Sequence, residues 1–226
     1  MSSPFKSVVP RFPMEFATAM RDICHLSNFV ETGTYHGDTA LRAAPHFKQV
    51  VTIEGVSDRY KIACMRERPS NVTMTYGPSE YELQRVMDTI NGPAFVFLDA
   101  HWIHAGSTIE NDSYQGSLRP CPLMRELDAI DMEQPHVIAI DDAHFFMHPP
   151  RHRGIVDYWP SLDQICQAIK NRYVFINEGM IVAVPEMYRS EVQEWLLDNW
   201  RGWDRFVDNR ATNGGNVAQM KGYSHA

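Results

Sequence analysis

Five carboxylates end short apolar runs in this chain: Glu31 after Asn-Phe-Val, Glu54 after Val-Val-Thr-Ile, Asp99 after Ala-Phe-Val-Phe-Leu, and Asp141 and Asp142 after Val-Ile-Ala-Ile. A core has no use for acids in those places, whereas a polar ligand or a cation does. Glu31 opens the run Glu31-Thr-Gly33-Thr34-Tyr35-His-Gly37-Asp-Thr39. Glycines there let the backbone turn tightly and approach a ligand. The spacing is not GxGxxG, so a pyrophosphate fingerprint fits poorly. Seventeen residues past Gly37 stands Glu54, an acid placed to accept both hydroxyls of a ribose. Taken alone, a glycine turn of this kind is more often only a turn.

Asp99, Asp141 and Asp142 at neighbouring strand ends would repel one another strongly when desolvated. A divalent cation relieves that repulsion, and hard oxygen ligands favour Mg²⁺, Ca²⁺ or Mn²⁺. The alternative is that Asp99 binds a cofactor amine while Asp141 and Asp142 cap the next segment. His101 and His144 each follow an acid by two residues. As ligands they would shift the preference toward Mn²⁺, Fe²⁺ or Zn²⁺; as structural residues they would only hydrogen-bond.

Alternating strands and helices must position these groups. Residues 28–31, 49–54, 71–77, 93–99 and 136–142 read as strands, most of them apolar on both faces, as in a parallel sheet covered by helices. Helical patterns separate them, with Asp38 and Ser57 as expected caps and Pro45 as an early stop. Asn177-Glu178-Gly179 signals a hairpin, and residues 188–200 read as a last helix. The expected fold class is α/β: a Rossmann-like doubly wound sheet, mostly parallel, with a C-terminal antiparallel hairpin strand. In such sheets ligands sit at the carboxyl ends of the strands. A single domain over 1–226 is expected, with a helical segment over 1–28, the sheet core over 29–185, a helix within 186–208 and a loose tail over 209–226.

Composition narrows the functions. The formal net charge of -7 argues against a duplex-binding surface; Arg151, His152 and Arg153 form only a local basic cluster. No apolar run approaches a membrane span, and the N-terminus has no secretory h-region. The four cysteines form no CxxC pair and read as buried, reduced thiols. A cytoplasmic protein with no nucleic-acid or membrane partner is expected.

At five places, in order, the sequence resembles the catechol O-methyltransferase group of metal-dependent class I methyltransferases: Glu-Thr-Gly-Thr-Tyr-His-Gly-Asp-Thr-Ala, Val-Val-Thr-Ile-Glu, Val-Thr-Met-Thr-Tyr-Gly-Pro-Ser, Val-Phe-Leu-Asp-Ala-His-Trp and Val-Ile-Ala-Ile-Asp-Asp. The macrocin O-methyltransferase group is similar in its opening run. The resemblance covers roughly residues 29–146 and implies S-adenosylmethionine as cofactor. Glu31, Gly33, Thr34, Tyr35, Gly37 and Thr39 would line its methionine part. Glu54 would hold the ribose, Gly77 and Ser79 would flank the adenine, and Asp99 would touch the cofactor. Asp99, Asp141 and Asp142 would hold a cation, Mg²⁺ before Mn²⁺.

The chain departs from that family in having no lysine between Trp102 and Met124, where the catechol enzymes place their base. His101, His104 and His144 are the substitutes, since imidazole suits general-base work at neutral pH. The resemblance thus implies O-methylation of a small hydroxylated molecule by a chain that often pairs as a homodimer. Two other readings stay open. Asp99-Ala100-His101 also resembles the metal-dependent amidinohydrolases, and the missing lysine admits a cofactor binder without catalysis. Residues 103–119 read as a lid or a surface loop, Phe145–Phe146 as a substrate wall or packing, and Trp195, Trp200 and Trp203 as core or dimer contacts.

Overall fold

A computed structural model describes residues 12–101, 121–147 and 159–199. The chain divides into two compact units, Met1–Arg189 and Ser190–Ala226. In the first, helix α1 (Met14–Ile23) precedes four strand–helix repeats: β1 (Asn28–Thr32), α2 (Asp38–Ala43), β2 (Gln49–Glu54), α3 (Ser57–Cys64), β3 (Val72–Tyr76), α4 (Ser79–Thr89), β4 (Ala94–Leu98) and α5 (Leu123–Asp128). Then follow β5 (Val137–Ile140), α6 (Ala143–Met147), α7 (Leu162–Ala168), β6 (Arg172–Asn177) and β7 (Met180–Pro185). Helix α8 (Arg189–Asn199) runs into the second unit, where Asn199 Nδ2 donates to the Trp195 carbonyl at 2.9 Å.

The strands form one seven-stranded sheet in the order β3-β2-β1-β4-β5-β7-β6. Strands β1 to β5 pair in parallel, and β7 runs antiparallel to both β5 and β6. The expected mixed α/β sheet is therefore present. Strands β1, β4, β5 and β7 are buried along their whole length, which is why β4, β5 and β7 are apolar without alternation, while β1 buries the polar Asn28, Glu31 and Thr32. The hairpin turn carries Glu178 (φ 46°) and Gly179 (φ 86°) in the left-handed region. That geometry lets a two-residue loop follow the twist of the flanking strands.

Three polar clamps hold the amino end of the sheet. Asn28 Nδ2 donates to the carbonyls of Asn91, Gly92 and Pro93. His136 Nδ1 accepts from Ala94 N at 3.0 Å. The buried Arg172 guanidinium donates to the carbonyls of Met132, Gln134 and His136. Buried carbonyls need such donors, so this end of the sheet is occupied with its own backbone.

Some local expectations are corrected. Asp38 does not cap α2: Gly37, at φ 79°, holds that position, and the Asp38 carboxylate pairs with Arg66 at 2.6 Å instead. Ser57 is the first helical residue of α3, behind Val56 as N-cap. Ser161 caps α7 through a capping box with Gln164. Cys24 and Cys121 are buried thiols, but Cys166 is exposed.

Candidate functional site

The carboxyl ends of the strands are tied to one another by backbone hydrogen bonds. Gly33 N and Thr34 N donate to the Ile53 carbonyl (2.9 and 3.2 Å), Gly77 N to that of Glu54 (3.0 Å), Asp99 N to that of Thr32 (3.2 Å) and Asp141 N to that of Leu98 (3.1 Å). The strand order reverses between β1 and β4, which opens the crevice where ligands bind in doubly wound sheets. The first loop enters it through Gly33 (φ 83°), Tyr35 (φ 49°) and Gly37 (φ 79°). A Cβ on Gly33 would lie 2.3 Å from the Asp99 carbonyl oxygen. Only glycine lets β1 and the end of β4 approach this closely.

Glu54 is buried, and both of its oxygens are engaged: Oε2 accepts from Tyr35 N and Oε1 from Val56 N, each at 2.8 Å. It pins the glycine turn and keeps further lone pairs for a ligand's hydroxyls. Glu31 is also buried, and its Oε2 accepts from Thr52 Oγ1 at 2.6 Å. Burial first, then the charges of Glu54 and Asp38, push the Glu31 carboxyl up to about 8, against the hydroxyls of Thr52 and Thr39. Burial, then Asp141, Glu31, Asp142 and Glu126, hold Asp99 well above the ordinary carboxylate range. Gly77 (φ 146°) and Ser79 stand where β3 meets α4, and Ser79 Oγ is buried without a hydrogen-bond partner.

On the other side of the crevice, Asp142 adopts φ 53° and carries two histidines. His101 Nε2 lies 3.3 Å from Asp142 Oδ2, and His144 Nδ1 lies 3.8 Å from Oδ1. The His101 side chain is 3% exposed and that of His144 61% exposed. Phe146 and Trp159 face the His101 ring edge-on, each with centroids 5.7 Å away. The hydrogen bond to His101 holds Asp142 below the ordinary carboxylate range, whereas burial raises Asp141.

Glu31, Gly33, Thr34, Tyr35, Gly37, Glu54, Gly77, Ser79 and Asp99 thus lie along one edge of the sheet, with Asp141, Asp142, His101 and His144 on its continuation. His104, the loop over 103–119, Arg151 to Arg153, Trp200 and Trp203 lie outside the described residues. Among the described residues, no group of three or more His, Cys, Asp or Glu side chains is arranged to hold a metal ion. The Asp142 carboxylate faces His101 and His144. Two participants escape notice in the sequence. Thr52 links Glu31 to Thr34 through contacts of 2.6 Å, and Glu126 is a buried acid on α5 whose proton affinity burial raises. Their signals were a polar residue inside an apolar strand and a glutamate on the apolar Leu123–Leu127 face. The hydroxyls of Ser79 and Thr32 favour charged Glu126, yet neither Glu126 Oε1 nor Ser79 Oγ completes a hydrogen bond.

No protein-family model and no curated protein matches the sequence. Solved structures do match the fold. A Staphylococcus aureus protein assigned as a caffeoyl-CoA O-methyltransferase aligns at TM-score 0.50 and 15% identity, over 79% of this chain and 85% of the other. A Klebsiella pneumoniae protein assigned as an O-methyltransferase aligns at TM-score 0.50 and 15% identity, over 79% of this chain and 83% of the other. With its sheet order and its single antiparallel strand β7, this chain has the class I methyltransferase fold.

Proposed function

We propose that this chain transfers a methyl group from S-adenosylmethionine to an oxygen of a small hydroxylated molecule. The observation that carries the reading is the β1/β4 crevice, where a left-handed glycine turn meets Glu31, Glu54 and Asp99 at the carboxyl ends of three adjacent strands. The residues present fit the cofactor. Spare lone pairs on Glu54 suit ribose hydroxyls, and the carboxyls of Glu31 and Asp99, surrounded by acids, suit cationic groups. An amidinohydrolase would leave Glu54 and the glycine turn without a use.

When bound, the cofactor supplies an electrophilic methyl group on a sulfonium. The chain's own residues hold the acceptor in line and take its proton. Buried His101 fixes the Asp142 carboxylate. That carboxylate faces His144 Nδ1, so the exposed His144 ring is left with Nε2 free to accept the proton. The proposed partner is a small-molecule acceptor, with neither nucleic acid nor membrane. A homodimer working in the cytoplasm completes the proposal.

A divalent cation, Mg²⁺ or Mn²⁺, on Asp99, Asp141 and Asp142 is the second reading. What favours it is the raised proton affinity of Asp99 and Asp141, which a cation would relieve. One experiment tests both readings: titration calorimetry with S-adenosylmethionine, then turnover on phenols, catechols and sugars with and without EDTA. Binding and chelator-insensitive turnover are expected from the histidine mechanism. Turnover lost to EDTA and restored by Mg²⁺ would establish the cation, binding without turnover on any acceptor would point to a non-catalytic binder, and no binding would overturn the proposal.

A further inference from the structure

Glu31 sits at the end of β1 with hydroxyls as its hydrogen-bonding neighbours. Thr52 Oγ1 donates to its Oε2 at 2.6 Å and is itself 2.6 Å from Thr34 Oγ1. The Thr39 hydroxyl, from α2, also acts on it. The charged groups facing it from the packed elements are acids: Glu54 from β2, Asp38 from α2 and Asp99 beyond β4. Arg66 is engaged with Asp38 at 2.6 Å, on the exposed side of that residue. Among the described residues no cation pairs with Glu31, and a buried carboxyl so placed among like charges keeps its proton, because the anion would be neither solvated nor paired. The hydroxyls of Thr52 and Thr39 favour the anion, and burial outweighs them.

We propose that ligand binding in this crevice is an exchange of cations, in which the positively charged methionine end of S-adenosylmethionine enters as one proton leaves Glu31 for the solvent. The inference rests on the methyltransferase reading and deepens it. The free protein holds a neutral carboxyl, and the complex holds a carboxylate facing a cationic ligand group. The displaced proton goes to the buffer, so total charge in the crevice changes little. Affinity for the cofactor then follows pH: each proton released raises the association constant about tenfold per pH unit where the free group is still protonated.

Calorimetry in two buffers of different ionisation enthalpy counts the protons. Close to one proton released per S-adenosylmethionine bound is expected near neutral pH, and none for adenosine, which has no cationic end. Glu31→Gln should release about one proton fewer than the parent. Because that variant could fold poorly, the parent protein supplies an independent measure: its dissociation constant should fall about tenfold between about pH 6 and pH 7. Binding with no proton release and a flat pH dependence overturns this inference and leaves the methyltransferase reading standing. Absence of binding at every pH overturns both. Equal release from parent and Glu31→Gln places the exchange on another acid and overturns the assignment to Glu31.

Discussion

Residues of one chemical type do different work here because of what surrounds each. Asp141 and Asp142 are neighbours in sequence, yet burial raises the proton affinity of the first while His101 lowers that of the second. Asp142 is therefore the more readily ionised of the pair, which in the proposed mechanism suits it to orient a histidine. His101 and His144 share this carboxylate, but only the exposed His144 is open to an acceptor. His144→Ala should lower kcat by on the order of 10²-fold and leave the affinity for S-adenosylmethionine unchanged. Steady-state rates with calorimetry check both halves. A kcat within twofold of the parent would return the base role to His101 or His104. In the proposed reading Glu54 has two tasks, since the oxygens that would meet a ribose already hold Tyr35 N and Val56 N. Its truncation would disturb the glycine turn as well as the ribose contact.

At the scale of elements, the left-handed glycines separate into a graded series. Gly179 closes the β6–β7 hairpin at φ 86°, and a Cβ there meets nothing within 4 Å. Gly37 precedes α2 at φ 79°, and its Cβ would meet the flexible Met74 methyl at 3.3 Å. Gly33 joins β1 to its loop, and its Cβ would strike the Asp99 backbone at 2.3 Å. Alanine at Gly179 should cost about 1 kcal/mol, the conformational term alone. Alanine at Gly37 should cost slightly more, and alanine at Gly33 more than about 3 kcal/mol, because one strand end must shift off another. Urea unfolding of the three variants checks the order; a Gly33→Ala as stable as Gly179→Ala would mean that β1 and β4 can separate freely. Substitution at Gly33 thus acts on the sheet before it acts on any ligand, contrary to the simple view of a pocket filled by a side chain.

Across the sheet the two ends differ. The amino end is closed by backbone-satisfying clamps at Asn28, His136 and Arg172, and the carboxyl end gathers acids that raise one another's proton affinity. The two ends oppose each other in their response to pH. Burial, then Arg172, lowers His136 to about 4 from an ordinary 6.5, so the native state refuses a proton that the unfolded chain accepts. Its contribution to stability is present above about 6.5 and is lost as pH falls toward about 4. Glu31, raised to about 8 from 4.5, works in the opposite sense. Its contribution is complete below about 4.5 and is lost as pH rises through about 8. Melting temperature against pH should therefore decline on both sides of a mildly acidic maximum. His136→Asn, which keeps an acceptor for Ala94 N, should flatten the acidic side, and Glu31→Gln the alkaline side. An unchanged acidic limb in His136→Asn would show that the ring is protonated in the folded protein.

Much of this architecture was legible in the chain itself. Doubly buried strands must be apolar without alternation, so 49–54, 93–99 and 136–142 announced a covered parallel sheet, and acids at their ends marked its carboxyl edge. Glu178-Gly179 announced its hairpin, because few residues tolerate the left-handed backbone that a two-residue loop demands. These are local or periodic properties, written into consecutive residues. What only the tertiary structure decided is the state of each charge and its partner. Asp38 reads as a cap until Arg66 is brought beside it from 28 residues away. Asp142 reads as an unpartnered acid at a strand end until His101 reaches it across 41 residues, and Glu126 reads as an ordinary helix charge until α5 buries it. Desolvation and long-range pairing depend on the folded neighbourhood, and no window of sequence contains that neighbourhood.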